Sequence, residues 1–173
     1  KEKVRESVKE SDIIFVADLF VEDYVGGAEL TTDNLINSLI ESGKSIAKIK
    51  SEFVSPELIQ DGLMKHWVFC NYSGMNLNLI PVIIANLNYS IIEYDYKFCK
   101  YRSIEKHEFA ENRPCDCSDQ HHGKMVSAFM CGASNIFWMS KRQRDLYFSK
   151  FPFLKNTKNI VLSSIFSDES LKK

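Results

Sequence analysis

Short apolar blocks separated by polar, turn-forming segments set the pattern of this chain. Residues 12–17 (Asp-Ile-Ile-Phe-Val-Ala) form a continuous apolar run, of the kind carried by a parallel strand buried on both faces. After a loop over 18–27, residues 28–42 place Leu30, Leu35, Leu39 and Ile40 near helical spacing, with Gly43 as a C-terminal stop. Residues 45–49 predict a second strand. Ser55-Pro56-Glu57 opens a short helix that ends near Gly62, with proline in its first turn. Residues 66–70 predict a third strand, followed by the turn Asn71-Tyr72-Ser73-Gly74. A helix over 76–87 follows, its first turns weakened by Pro81, and then a fourth strand over 89–93. Residues 94–120 read as a long irregular segment. Beyond it come a helix over 121–131 ending at Gly132, a fifth strand over 135–139, a helix over 141–151 capped by Ser140 and closed by Pro152, and a sixth strand over 159–163. The last residues read as a polar tail.

Strands and helices alternate from end to end. That order implies βαβ units, right-handed crossovers and one Rossmann-like α/β domain, a parallel sheet with helices on both faces. Ligands of such sheets bind beyond the carboxyl ends of the strands. The segments to watch are therefore 18–29, 71–76, 94–102 and 140–142.

Composition narrows the function classes. The chain has 173 residues, 45% hydrophobic and 26% charged, with a formal net charge of −1, so nothing points to a nucleic-acid partner, which shows as a basic excess. The basic stretch 141–144 is short and reads as a solvated helix face. The longest apolar run, 77–87, is broken by Asn78, Pro81 and Asn86, so no transmembrane segment is expected. Residues 1–10 read as a charged helix rather than a signal peptide. With five cysteines, the chain reads as a cytoplasmic protein with reduced thiols or a metal site rather than a disulfide framework.

Gly26-Gly27-Ala28-Glu29 lies between the first strand and the first long helix. Glycines there admit positive φ and close approach of a ligand, and a helix N-terminus supplies free N–H groups and partial positive charge for phosphate. The turn matches neither G-x-G-x-x-G nor the P-loop pattern, which disfavours a dinucleotide-dependent enzyme. Taken with the helix ending at Glu41-Ser42-Gly43-Lys44, it resembles the opening of GT-B glycosyltransferases of the retaining, glycogen-synthase-like clan (family 4 type). The apolar strand, Ser140 and polar helix of 135–145 are similar to a later signature of that family. Residues 159–166 resemble the strand before its interdomain crossover, although Ser163-Ser164 stands where relatives show Asn-Gly.

The resemblance implies the N-terminal half of a transferase that moves a sugar from a nucleotide-sugar donor to a glycan or lipid-linked acceptor. In that family the N-terminal domain forms the acceptor wall, and a C-terminal domain, absent from these residues, holds most of the nucleotide sugar. This chain alone is then expected to show little activity. By the same resemblance Gly26, Gly27, Ala28 and Glu29 face the donor diphosphate. Asp95, with Tyr94 or Tyr96 as substitutes, falls where relatives carry a His or Asp near the reacting sugar. Read by itself, Asp95 is equally a turn or capping carboxylate.

Two further groups carry chemistry. Cys99, Cys115 and Cys117, with one of His107, His121 and His122 (His121 being the first choice), offer the soft donor set that zinc takes in a tetrahedral site, and a metal would hold a long loop poor in apolar residues. The Cys-x-Cys spacing differs from the usual Cys-x2-Cys knuckle, and a metal-free loop remains the other reading. Cys70 and Cys131 read as core residues, and His66 as a structural side chain at a strand start. Tyr94, Tyr96, Phe98 and Tyr101 interleave with Lys97, Lys100 and Arg102. Aromatic faces stack on sugars and cations pair with phosphate or carboxylate, so Tyr94 and Tyr96, with Asn71 and Tyr72, are candidates for binding the acceptor; the other reading is a strand continuation with one buried face. The alternative for the whole chain is a non-catalytic Rossmann-like binding or assembly domain stapled by zinc.

Overall fold

The computed structural model describes residues 2–162. The elements run α1 (Glu2–Glu10), β1 (Ile13–Ala17), α2 (Gly27–Glu41), β2 (Ile46–Lys50), α3 (Pro56–Asp61), β3 (His66–Phe69), α4 (Ile80–Asn86), β4 (Asn88–Glu93), α5 (Ile104–Glu111), α6 (His121–Cys131), β5 (Asn135–Trp138), α7 (Lys141–Lys150) and β6 (Asn159–Val161). The six strands form one sheet in the order β2-β1-β3-β4-β5-β6, and every neighbouring pair is parallel. This is the doubly wound order in which the chain leaves β1 for one edge and returns to build the other side from β3 onward. The expected Rossmann-like α/β fold is the fold observed.

The two faces are covered unequally. Right-handed crossovers send α2 to one face and the later helices to the other. On the first face Ile36, with Leu35 and Leu39, packs on Phe15, Ala17, Val68 and Ile92. On the second, Leu58 and Ile59 of α3, Ile80 and Ile83 of α4, Phe129 and Met130 of α6 and Tyr147 of α7 cover Ile14, Trp67, Tyr89, Ile91 and Trp138. This larger core is dense in aromatic rings, with Phe129 stacked on Tyr89 and edge-on to Phe69 and Tyr72 at centroid distances of 5.0–5.1 Å.

Local chemistry accounts for the helix ends. The hydroxyls of Ser55 and Ser140 accept the N–H groups of Leu58 and Gln143, capping α3 and α7. Pro81 lies in the first turn of α4, and the chain reaches it through a 3-10 turn, Leu77–Leu79, rather than the continuous helix expected over 76–87. The largest departure is in the segment expected to be irregular. It contains α5, capped by Ser103 and ended by Asn112 in the left-handed region (φ 51°), and a 3-10 turn at Cys117–Asp119. The only buried residue of α5 is His107, so the helix carries no apolar stripe for a periodicity argument to detect. Cys131, expected in the core, is exposed at the end of α6, whereas Cys70 is buried. The expected polar tail and the Ser163-Ser164 pair lie outside the described residues.

Candidate functional site

The strand order creates a crevice. β1 and β3 are neighbours, yet the chain leaves them towards opposite faces, which parts the connections at the carboxyl edge of the sheet. Asp18, directly after β1, is held at the centre of this edge. Its Oδ1 accepts from the Ser51 hydroxyl at 2.5 Å and from the Gly74 N–H at 3.3 Å, and its Oδ2 accepts from the Ser73 hydroxyl at 2.5 Å. Burial alone would raise the Asp18 carboxyl, but these hydrogen bonds and nearby Arg102 outweigh it and hold it below the usual carboxylate range.

Arg102 joins the strand ends. Its Nε donates to Asp95 Oδ2 at 2.5 Å and its Nη2 to Asn71 Oδ1 at 2.8 Å, while Nη1 lies 3.5 Å from Asp18 Oδ2. One guanidinium thus contacts residues that follow β1, β3 and β4. Its backbone is in the left-handed region (φ 58°), a conformation that costs a non-glycine residue of the order of 1–2 kcal/mol and often marks functional sites.

A buried ionic layer lies next to it. Glu93, the last residue of β4, is fully buried and receives Lys97 and the Tyr147 hydroxyl. Lys97, also buried, donates in addition to Asp95 at 3.1 Å. Burial disfavours the Lys97 cation, but facing Glu93 and Asp95 prevail and raise it. Gln143, buried in α7, donates to the carbonyl oxygens of both Glu93 and Asp95 at 2.9 Å and accepts from the Met139 N–H. The stretch 141–144, expected to be a solvated face, therefore has one inward member that fixes the end of β4.

The glycine turn sits where it was expected but works differently. Gly26 is the N-cap of α2 in extended conformation (φ −130°) with no side-chain cap, and Gly27 is the first residue of the helix. The glycine with positive φ is Gly43, not Gly26 or Gly27. A side chain at Gly26 would meet Glu29 and Tyr24, whereas Gly27 faces open space. The first N–H groups of a 15-residue helix are thus presented beside bare backbone.

The acceptor candidates divide. Asn71 belongs to the Arg102 network. Tyr94 hydrogen-bonds Thr32 of α2 at 2.7 Å, so it ties β4 to α2, and Tyr96 stacks on Tyr147. Tyr72 is buried and lines a cleft described below. Among the described residues, the Tyr72 hydroxyl and His107 Nε2 are buried polar atoms without a hydrogen-bond partner.

The second cluster comprises Cys99, His107, Cys115 and Cys117, which could hold a metal ion. One potential ligand atom from each lies within 4.8 Å of all the others. Cys99 Sγ and Cys115 Sγ are 3.7 Å apart, and His107 Nδ1 lies 3.6 Å from Cys99 Sγ and 3.2 Å from Cys117 Sγ. A tetrahedral ion with bonds of about 2.3 Å to sulfur and about 2.0 Å to nitrogen needs edges of roughly 3.5–3.8 Å, so the donors stand near the required separations. Nδ1 of His107 faces the thiols, while Nε2 points towards Glu111 Oε2 at 3.7 Å and Asp116 Oδ1 at 4.0 Å. Carboxylates behind a ligating imidazole are the usual outer shell of a metal site. The fourth member is His107 and not His121, which is exposed at the start of α6. His122 Nε2 instead pairs with the Lys97 carbonyl at 2.8 Å. Gly123 lets α6 approach the cysteine turn: a Cβ there would lie 2.0 Å from the Cys117 carbonyl oxygen.

Fold and sites together define a doubly wound α/β domain with a polar crevice at its carboxyl edge and a Cys3His cluster beside it. No described helix is long and apolar enough to cross a membrane. No protein-family model and no curated protein matches the chain.

Proposed function

We propose that this chain is the acceptor-side half of a GT-B glycosyltransferase, transferring a sugar from a nucleotide-sugar donor to a glycan or lipid-linked acceptor, and that its Cys3His cluster binds zinc. The observation that carries the transferase reading is the crevice itself, with the bare Gly26–Gly27 helix start, Asp18, Asn71, Asp95 and Arg102 at the carboxyl edge. In transfer, the acceptor hydroxyl oxygen bonds to the anomeric carbon, the carbon–oxygen bond to the diphosphate breaks, and the nucleoside diphosphate leaves with the electron pair and takes up the hydroxyl proton. The N–H groups at the start of α2 stabilise the departing phosphate. The Asp95 carboxylate supports the positive charge that develops on the sugar ring. Zinc with three thiolates and one imidazole has no open position. Its part is structural, holding the loop that carries Arg102.

The test is a titration of uridine and guanosine diphosphate sugars into isotope-labelled protein, alone and joined to its donor-side domain. Saturable shifts at Gly26, Gly27 and Glu29 are expected. Their absence in both forms refutes the reading. One observation favours the second reading, a non-catalytic zinc-stapled binding or assembly domain: Asp95 is already engaged by Lys97 and Arg102. Asp95→Asn separates the two, since a transferase loses turnover and an assembly domain loses only stability. Zinc is checked by elemental analysis, with about one ion per chain expected.

A further inference from the structure

A cleft of about 120 Å³ opens beside the crevice, lined by Tyr72, Ser73, Lys97, Lys100, Arg102 and His122, by the apolar Leu77 and Val126, and by Cys99 of the candidate metal centre. Its charged wall residues Lys97, Lys100 and Arg102 are all cations. The carboxylates that pair with them stand behind the wall: Glu93 and Asp95 for Lys97, Glu111 for Lys100, Asp18 and Asp95 for Arg102. These pairs fix the cations without exhausting their donors. Lys97 has three N–H groups, two of them directed at Glu93 and Asp95, and an arginine has five. Tyr72 is 2% exposed and forms a packed wall of the cleft, its hydroxyl sealed from solvent. At this size the cleft falls below the roughly 300 Å³ at which drug-sized pockets begin, so it suits one compact group rather than a whole sugar.

We infer that this cleft binds an oxyanion, a phosphate or carboxylate group carried by the acceptor, with Arg102, Lys97 and Lys100 supplying the counter-charge and the spare N–H donors. That the oxyanion belongs to an acceptor rests on the transferase reading; the anion site does not. Hydrogen bonds to charged groups are about twice as strong as neutral ones, and Arg binds planar oxyanions bidentately. An acceptor bearing such a group would be anchored by it, leaving its nucleophilic hydroxyl near Asp95.

The experiment titrates inorganic phosphate and, separately, acetate into the labelled protein, with chloride at equal ionic strength as the baseline. Phosphate is expected to shift the Ser73, Lys100 and His122 signals saturably. Arg102→Lys, which keeps the charge and removes the guanidinium fork, should weaken binding about tenfold. The surface variant Lys100→Gln should weaken it about threefold, a modest effect fitting a half-exposed charge. Tighter binding of phosphate than of acetate identifies a phosphate-bearing acceptor, and the reverse a carboxylate-bearing one. If neither anion shifts these signals beyond the chloride baseline, or if both variants bind as the parent does, the inference is overturned. Nucleotide-sugar shifts are read at Gly26–Glu29 instead, so failure there with phosphate bound here removes the transferase and leaves the anion site standing.

Discussion

The backbone N–H of Arg102 donates to the carbonyl oxygen of Cys99 at 2.8 Å, so a ligand of the candidate metal centre and the guanidinium that joins three strand ends are two ends of one tight turn. Cys99 Sγ also lies 3.4 Å from the carbonyl oxygen of Ser103, the cap of the helix that brings His107. Metal binding and the left-handed backbone of Arg102 are therefore mechanically linked. Chelation, or Cys99→Ser, should lower the melting temperature by roughly 10 °C, the equivalent of about 3 kcal/mol in a domain of this size. The same treatment should speed hydrogen exchange at the Arg102 amide. Cys131→Ser, at an exposed thiol, should do neither. A chelated protein with unchanged melting and exchange would mean that the cluster holds no metal.

Gly123→Ala probes the other side of the same centre. The new methyl group would press on the Cys117 carbonyl, a backbone atom that cannot rotate away. The 3-10 turn carrying Cys117 must then shift from α6. The expected result is a loss of about 1–3 kcal/mol in urea unfolding and at least tenfold weaker metal retention in a competition assay with a chromogenic chelator. Gly27→Ala is the control, because its Cβ meets open space, and it should leave metal retention unchanged.

What the sequence made legible follows from where each residue's energy comes from. The runs Ile13–Ala17 and His66–Phe69 announce strands because both faces of the sheet are covered there, and Ser55 and Ser140 announce helix starts because a cap needs only local chemistry. The three cysteines of the cluster were readable as soft ligands. His107 was not separable from His121 and His122, because the helix that turns it inward is recognised by its packing on thiols rather than by an apolar stripe. Asp18 had no local signal: its partners Ser51, Ser73 and Arg102 lie 33 to 84 positions away in sequence, and they converge only once β1 lies between β2 and β3. Gln143 was hidden inside a charged run whose other members point outward.

The buried Glu93–Lys97 pair should behave as one unit. Glu93→Leu leaves the buried Lys97 with Asp95 alone and strips the Tyr147 hydroxyl of its acceptor. Removing one partner of a buried pair costs about 3–5 kcal/mol, whereas replacing both by apolar groups costs far less. Urea unfolding of Glu93→Leu, Lys97→Met and the double variant should therefore give a double loss well below the sum of the singles. Additive losses would show that the two charges act independently.

His66 predicts how stability changes with pH. Its Nε2 pairs with the Ser90 hydroxyl at 2.8 Å, and burial lowers the imidazole below its ordinary value of 6.5. The folded chain thus favours the neutral ring, and the unfolded chain takes up a proton first as the pH falls. The stabilisation from a neutral His66 is complete above 6.5 and is lost as the pH drops from there through the lowered folded-state value. His66→Gln keeps a hydrogen-bonding side chain opposite Ser90 and removes the titration. Unfolding free energies measured from about pH 7.5 to about pH 5 should therefore fall more steeply for the parent than for the variant. Every other group is common to the two proteins, so the difference between the curves isolates His66. Parallel curves would mean that the ring takes up its proton alike in the folded and unfolded chain, so that burial at the start of β3 does not favour its neutral form.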